Sequence, residues 1–213
     1  MKTEAAPRLR ADAATNLDRI LLAALQVFSE SGVDAGMDRI AARAEVGVGT
    51  LYRRFPSKDH LLEELVRSAL DELLATAESA LARPDGRGLE DFLFSVGRIL
   101  AEHHGYAARI VQSQLFPQEK AAELRARVRR LTDQARQDGR LGAHVRVGDV
   151  HSVIWGLRGV IEATVKAAPR AWQRHLDLQL AGLRVMPAPT THPALTSAQL
   201  AAVSGPSGAG ATP

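Results

Sequence analysis

Side chains that could do chemistry are concentrated in one short stretch, Val48-Gly49-Thr50-Leu51-Tyr52-Arg53-Arg54-Phe55-Pro56-Ser57-Lys58. Leu51 and Phe55 are four apart, so on a helix they turn inward together. At about 100° per residue, the opposite direction centres on Arg53, with Gly49 and Thr50 beside it and Tyr52 and Arg54 on the flanks. Such a face suits a nucleic-acid groove. Arg53 could grip a phosphate or fork onto a guanine edge, Gly49 admits close backbone approach, and Val48 could pack on a thymine methyl. The plainer alternative is a helical hairpin with an incidental basic edge.

Other chemistries find less support. There is no cysteine, so disulfides and thiolate metal sites are excluded. His103 and His104 are adjacent, which on a helix points them about 100° apart, and no H-x₃-H pair occurs. No metal or cofactor is expected. The chain has no G-x-S-x-G, no glycine-rich phosphate loop and no convincing carboxylate pair, so an enzyme is not expected. His103, His104, Tyr106, Gln112, Gln114, Trp155, Arg158 and Glu162 are polar or aromatic residues set in otherwise apolar helices. Read functionally, His103, Tyr106, Gln112, Trp155, Arg158 and Glu162 would line a ligand pocket, an apolar cavity with a few orienting polar groups. Read structurally, each is a partly exposed side chain satisfied by water or a neighbour.

The elements that must position these residues are all helical. A first helix is expected from about Asn16 to Ser31, with Leu17, Ile20, Leu21, Ala24, Val27 and Phe28 on one face and Gly32 ending it. Met37 to Ala44 forms a short helix with Ile40, Ala41 and Ala44 inward. Val46 fills the turn, and residues 48–55 form the second short helix. Pro56 stops it, and Ser57 caps a long helix to about Ala82. Arg83-Pro84-Asp85-Gly86-Arg87-Gly88 is the clearest break. A helix then runs from Gly88 to about His103, followed by an irregular apolar segment from Gly105 to Phe116. Pro117 opens a charged helix whose run Glu119, Lys120, Glu123, Arg125, Arg127, Arg129, Arg130 reads as a solvated face with Glu123–Arg127 pairing, rather than a nucleic-acid patch. The last two helices, about Asp149–Ala167 and Arg170–Val185, carry broad apolar stripes. They could be plain core or a self-complementary surface.

The stretch from Ile40 to Lys58 resembles the helix-turn-helix of the tetracycline-repressor-like (TetR) family of bacterial transcription regulators. The matching residues are Ile40-Ala41, Ala44-Glu45-Val46, Gly49-Thr50-Leu51-Tyr52, Phe55 and Lys58, preceded by Leu9-Arg10-Ala11-Asp12 and Arg19-Ile20-Leu21. The resemblance covers residues 10–70 and implies an all-α fold, with an N-terminal three-helix helix-turn-helix domain and a larger C-terminal helical ligand-binding and dimerisation domain. Thr50, Tyr52 and Lys58 resemble the family's groove and phosphate contacts, so with the basic arm and the outward face the expected DNA contacts are Arg10, Val48, Gly49, Thr50, Tyr52, Arg53, Arg54 and Lys58. The resemblance also implies a homodimer built by the last two helices. The partners implied are a palindromic double-stranded DNA operator and a small-molecule effector of unknown identity. Glu45 stands where the family often has glycine, so a positive φ is expected there. Gly36 and Gly47 stand where the family often has Ser or Thr caps.

The chain has 213 residues, 46% apolar and 4% aromatic, with a formal charge of +3. Its charge is not concentrated near the groove-facing stretch, since residues 1–58 hold nine Lys/Arg against seven Asp/Glu. The case for nucleic acid therefore rests on local geometry. No apolar run approaches the roughly 18–20 residues of a membrane span, and no secretory h-region is seen, so no membrane association and a cytoplasmic location are expected. Four parts are expected: a flexible basic arm (1–14), a helix-turn-helix domain (15–75), an effector-binding and dimerisation domain (76–185), and a disordered tail (186–213) without Lys, Arg, Asp or Glu. The function implied is a ligand-released repressor. The alternative is a helical ligand- or protein-binding module without sequence-specific DNA recognition.

Overall fold

A computed structural model describes the backbone of residues 5–104, 118–184 and 191–203, and the side chains of 16–104, 118–184 and 191–200. Every regular element among them is an α-helix: α1 Ala5–Ser31, α2 Met37–Arg43, α3 Val48–Arg54, α4 Lys58–Leu81, α5 Gly88–Glu102, α6 Gln118–Gln137, α7 Val147–Thr164, α8 Ala171–Arg184 and α9 Ser197–Val203.

The helices build two cores. In the first, Ile20, Ala24, Val27 and Phe28 of α1 cover Ile40 and Ala41 of α2, Leu51 of α3 and the following Phe55. Helices of seven residues are too short to hold alone, so α2 and α3 owe their stability to this packing. The second core joins Phe92 and Leu93 of α5, Val128 and Leu131 of α6, Val150, Val153, Leu157 and Ile161 of α7, and Trp172, Leu176 and Leu180 of α8. Gly97 is the reason Trp172 fits, because a Cβ there would lie 2.3 Å from the indole ring.

Helix α4 takes part in both. Leu61, Leu62 and Leu65 belong to the first core, Ala77 and Ala80 to the second. A second link is a hydrogen bond from Ser29 Oγ of α1 to His104 Nε2, at 3.4 Å, just beyond α5. His104 Nδ1 donates to the Ala101 carbonyl at 2.7 Å, which fixes the ring.

Two expectations need correction. The first helix begins at Ala5, not near Asn16, so residues 5–14 continue α1 instead of forming a flexible arm. Alanine favours helix, and Pro7 falls in the first turn, where its missing N–H is no loss. Residues 1–4 lie outside the described set. The C-terminal stretch is also not uniformly structureless, since α9 forms at Ser197–Val203 and buries Leu200. Its signal was legible as a capping box. Gln199 N donates to Thr196 Oγ1 (3.2 Å), and Thr196 N donates to Gln199 Oε1 (2.9 Å).

Glu90 of α5 is the one buried carboxylate among the described residues. Arg184 Nη2 approaches its Oε1 at 2.8 Å and Arg140 Nη2 at 3.2 Å, with Arg87 Nε 3.6 Å from Oε2. The contacts to Oε1 are ionic without hydrogen-bonding alignment. They tie α5 to the end of α8 and to the loop after α6.

Candidate nucleic-acid interface

The turn between α2 and α3 is a Schellman motif. Glu45 N donates to the Ala42 carbonyl at 3.2 Å and Val46 N to the Ala41 carbonyl at 3.0 Å. This geometry requires a left-handed residue at Glu45, whose φ is +54°. The expected strained position is therefore real, and it costs about 1–2 kcal/mol relative to glycine. Val46 packs half-buried against the first core, closing the angle between the helices. Gly36 and Gly47 cap α2 and α3 in extended conformation and supply no side-chain bond. Ser57 caps α4, accepting from His60 N at 3.4 Å.

Leu51 and Phe55 are buried, as their spacing required, and everything opposite faces solvent. Val48 is 44% exposed and Tyr52 47%, unusual values for apolar and aromatic side chains. Gly49 is exposed, with nothing within 4 Å of a Cβ placed there. Arg53 and Arg54 are exposed, and Thr50 is half-buried at the edge.

Charge pairing sorts the arginines. On α2, Arg43 binds Glu30 of α1 at 2.9 Å and reaches Gln26 at 3.1 Å, while Arg39 binds the same carboxylate at 3.2 Å. Those two cations serve the headpiece. Arg53 and Arg54 have no carboxylate partner among the described residues. Lys58 differs from expectation in one respect: its Nζ donates to the Val33 carbonyl at 3.0 Å, tying α4 to the loop after α1. Arg10 lies on α1, with its side chain outside the described set.

Of the residues assigned to a ligand pocket, His103 lies at the end of α5 and Trp155, Arg158 and Glu162 lie on α7. Tyr106 and Gln112 lie outside the described residues, as does Gln114. His103 is half-buried at the end of α5, and burial pushes its imidazole pKa below the ordinary 6.5. Trp155 is 36% exposed on the outer side of α7, and Arg158 Nε donates to Glu162 Oε1 at 2.7 Å. The expected Glu123–Arg127 pair is present at 2.7 Å, so part of the α6 charge run is a solvated face. Among the described residues no helix is long and apolar enough to cross a membrane.

A three-helix headpiece presenting a basic, exposed second helix, mounted through one long helix on a larger helical body, defines a helix-turn-helix regulator. The profile "Bacterial regulatory proteins, tetR family" matches residues 20–65. The TetR transcriptional regulator SCO0520 of Streptomyces coelicolor is 32% identical, with a TM-score of 0.61 over 79% of this chain and 98% of that one. A TetR regulatory protein of Mycobacterium vanbaalenii is 28% identical, with a TM-score of 0.63 over 83% of this chain and 99% of that one. The chain belongs to the TetR family, a family of transcription regulators and not of enzymes. It is also 40% identical over 82 residues to the transcriptional repressor KstR of Mycolicibacterium smegmatis, an alignment spanning 38% of this chain and 40% of that repressor.

Proposed function

We propose that the protein is a dimeric, sequence-specific repressor that binds a palindromic DNA operator and is released by a small molecule. The observation that carries the DNA reading is the sorting of charge. The headpiece neutralises Arg39 and Arg43 with Glu30, whereas Arg53 and Arg54, beside exposed Val48, Gly49 and Tyr52, have no carboxylate partner among the described residues. Two such α3 faces, roughly 34–36 Å apart in a dimer, would enter successive major grooves of one operator. Phosphate contacts would set the register, and Arg53 would read a base.

Dimerisation is supported by the outer face of α7 and α8. Trp155 and Leu178, at 36% and 55% exposure, are uncovered there, and a Cβ at Gly159 or Gly182 would meet nothing within 4 Å. Large apolar groups beside small residues suit close packing against a second copy. The effector would occupy the second domain, in the neighbourhood of His103, and act through α4. A coupling of about 1–3 kcal/mol gives a 5–150-fold change in operator affinity. The expected location is the cytoplasm.

Selection from a random duplex library with the full-length protein, at near-physiological salt, tests this reading. The expected result is one enriched palindrome. Arg53→Ala should relax the preference at one position of each half-site, at a cost of about 1–3 kcal/mol. An unenriched pool from a folded dimer would replace the reading with a helical binding module that lacks DNA specificity.

A further inference from the structure

Arginines without carboxylates gather in a second place, on α6. Arg127 meets Glu123 at 2.7 Å and Glu78 at 3.1 Å, and Arg136 meets Asp133 at 2.8 Å. Arg125, Arg129 and Arg130, one face away, have no carboxylate partner among the described residues. They line a groove of about 430 Å³, within the size range of small-molecule sites. Its remaining walls are small or apolar: Ala122 and Ala126 of α6, Val147 of α7 and Leu200 of α9.

Two features make this a built site instead of a surface dimple. His151, nine-tenths buried, lies in the wall; its Nδ1 donates to the Val147 carbonyl at 2.8 Å, which leaves Nε2 as its second ring nitrogen. The C-terminal segment is seated as the opposite wall. Arg129 Nη2 donates to Ser197 Oγ at 2.9 Å, Leu200 is buried, and the chain passes so near Gly148 that a Cβ there would lie 2.5 Å from the Leu195 carbonyl oxygen.

Guanidinium forks match planar or tetrahedral oxyanions, and apolar walls match a short hydrocarbon body. We propose that this groove binds a small organic anion, a phosphate or carboxylate on a compact apolar body, with Arg125 and Arg129 holding the head and Val147 and Leu200 packing the body. The lining shares no residue with the α3 face or with the effector residues named above, so loss of binding in variants of the lining separates this site from theirs.

Trp155 supplies the reporter, since its indole lies edge-on to the His151 imidazole with ring centroids 6.5 Å apart. Titration of the full-length protein with n-hexyl phosphate at near-physiological salt should give a saturable change in tryptophan fluorescence, and n-hexanol should give none. R125Q/R129Q should keep the helical circular-dichroism spectrum and lose at least tenfold in affinity, because each charge-assisted bond is worth more than an ordinary one. R170Q/R174Q, which removes two exposed cations elsewhere that have no carboxylate partner among the described residues, should bind as the parent does. No saturable response at millimolar ligand, unchanged binding by R125Q/R129Q, or an equal loss in R170Q/R174Q would each overturn the proposal. So would a defect of R125Q/R129Q in duplex binding without any response to hexyl phosphate, which would assign the cluster to DNA.

Discussion

Substituting Gly49 by alanine separates the stability of the headpiece from its recognition of DNA, because the two should move in opposite directions. Gly49 is the second residue of α3, is exposed, and has nothing within 4 Å of the position a Cβ would take. The fold therefore meets no clash and gains the helix preference of alanine over glycine, about 0.5–1 kcal/mol. In a chain of this length that raises the melting temperature by about 1–4 °C. On the DNA the same methyl stands between Val48 and Arg53, where α3 would seat at van der Waals contact. Overfilling a closely packed contact costs about 1–3 kcal/mol, or roughly 5–150-fold in affinity. Fluorescence anisotropy on the selected duplex, at one fixed salt concentration, reads the second effect, and thermal melting reads the first. A variant that is more stable and binds the duplex as tightly as the parent would refute the assignment of this face to the groove.

Three further outcomes follow from the structure. Glu45→Gly relieves the left-handed residue in the turn and should raise stability by about 1 kcal/mol, with unchanged duplex affinity, as read by melting and anisotropy together. Glu90→Gln leaves three guanidinium groups facing an uncharged amide; because those arginines reach water, the loss should be about 2 kcal/mol, seen as a melting temperature lower by about 4–8 °C. Burial holds His103 and His151 below the ordinary imidazole pKa, and nearby Arg125 and Arg129 push His151 the same way. The unfolded chain then binds protons that the folded chain does not, so this stability is present above about pH 6.5 and lost as pH falls below it. The melting temperature should drop between pH 7.5 and 5.5, and His151→Gln should flatten part of that drop; an equal slope in the variant would remove His151 from the account.

Much of the headpiece was legible because its signals are local. Leu51 and Phe55 share a face by spacing alone, Pro56 and Ser57 punctuate the chain, and the left-handed Glu45 was expected from the family resemblance, in which glycine often holds that turn. Such features need no knowledge of distant contacts. The partners of the arginines were not legible for the opposite reason. Arg43 pairs with Glu30 and Arg127 with Glu78 across thirteen and forty-nine positions, set by how helices dock. Hence the α6 run could be read as a solvated face while three of its arginines converge on one groove. Trp155, Arg158 and Glu162 do lie along one helix, as their spacing required, yet periodicity cannot say whether that face meets a cavity or solvent. The helix at Ser197 was missed because an uncharged Pro- and Gly-rich composition outweighed the local Thr196–Gln199 cap.

The two cores are joined in a way that makes regulation geometrically economical. A helix of 24 residues is about 36 Å long, and α4 has Leu61 and Leu65 fixed in one core and Ala77 and Ala80 in the other. A tilt of about 5° about its far end would displace the near end by about 3 Å, as much as a hydrogen bond is long. The Ser29–His104 bond spans the same junction from the other side, so such a tilt must stretch it or carry α1 along. On the proposed reading, effector binding need not unfold or reshape the headpiece. It needs only to favour one seating of α4 over another, because α3 rides on the packing of Leu51 and Phe55 against the same core that holds Leu61.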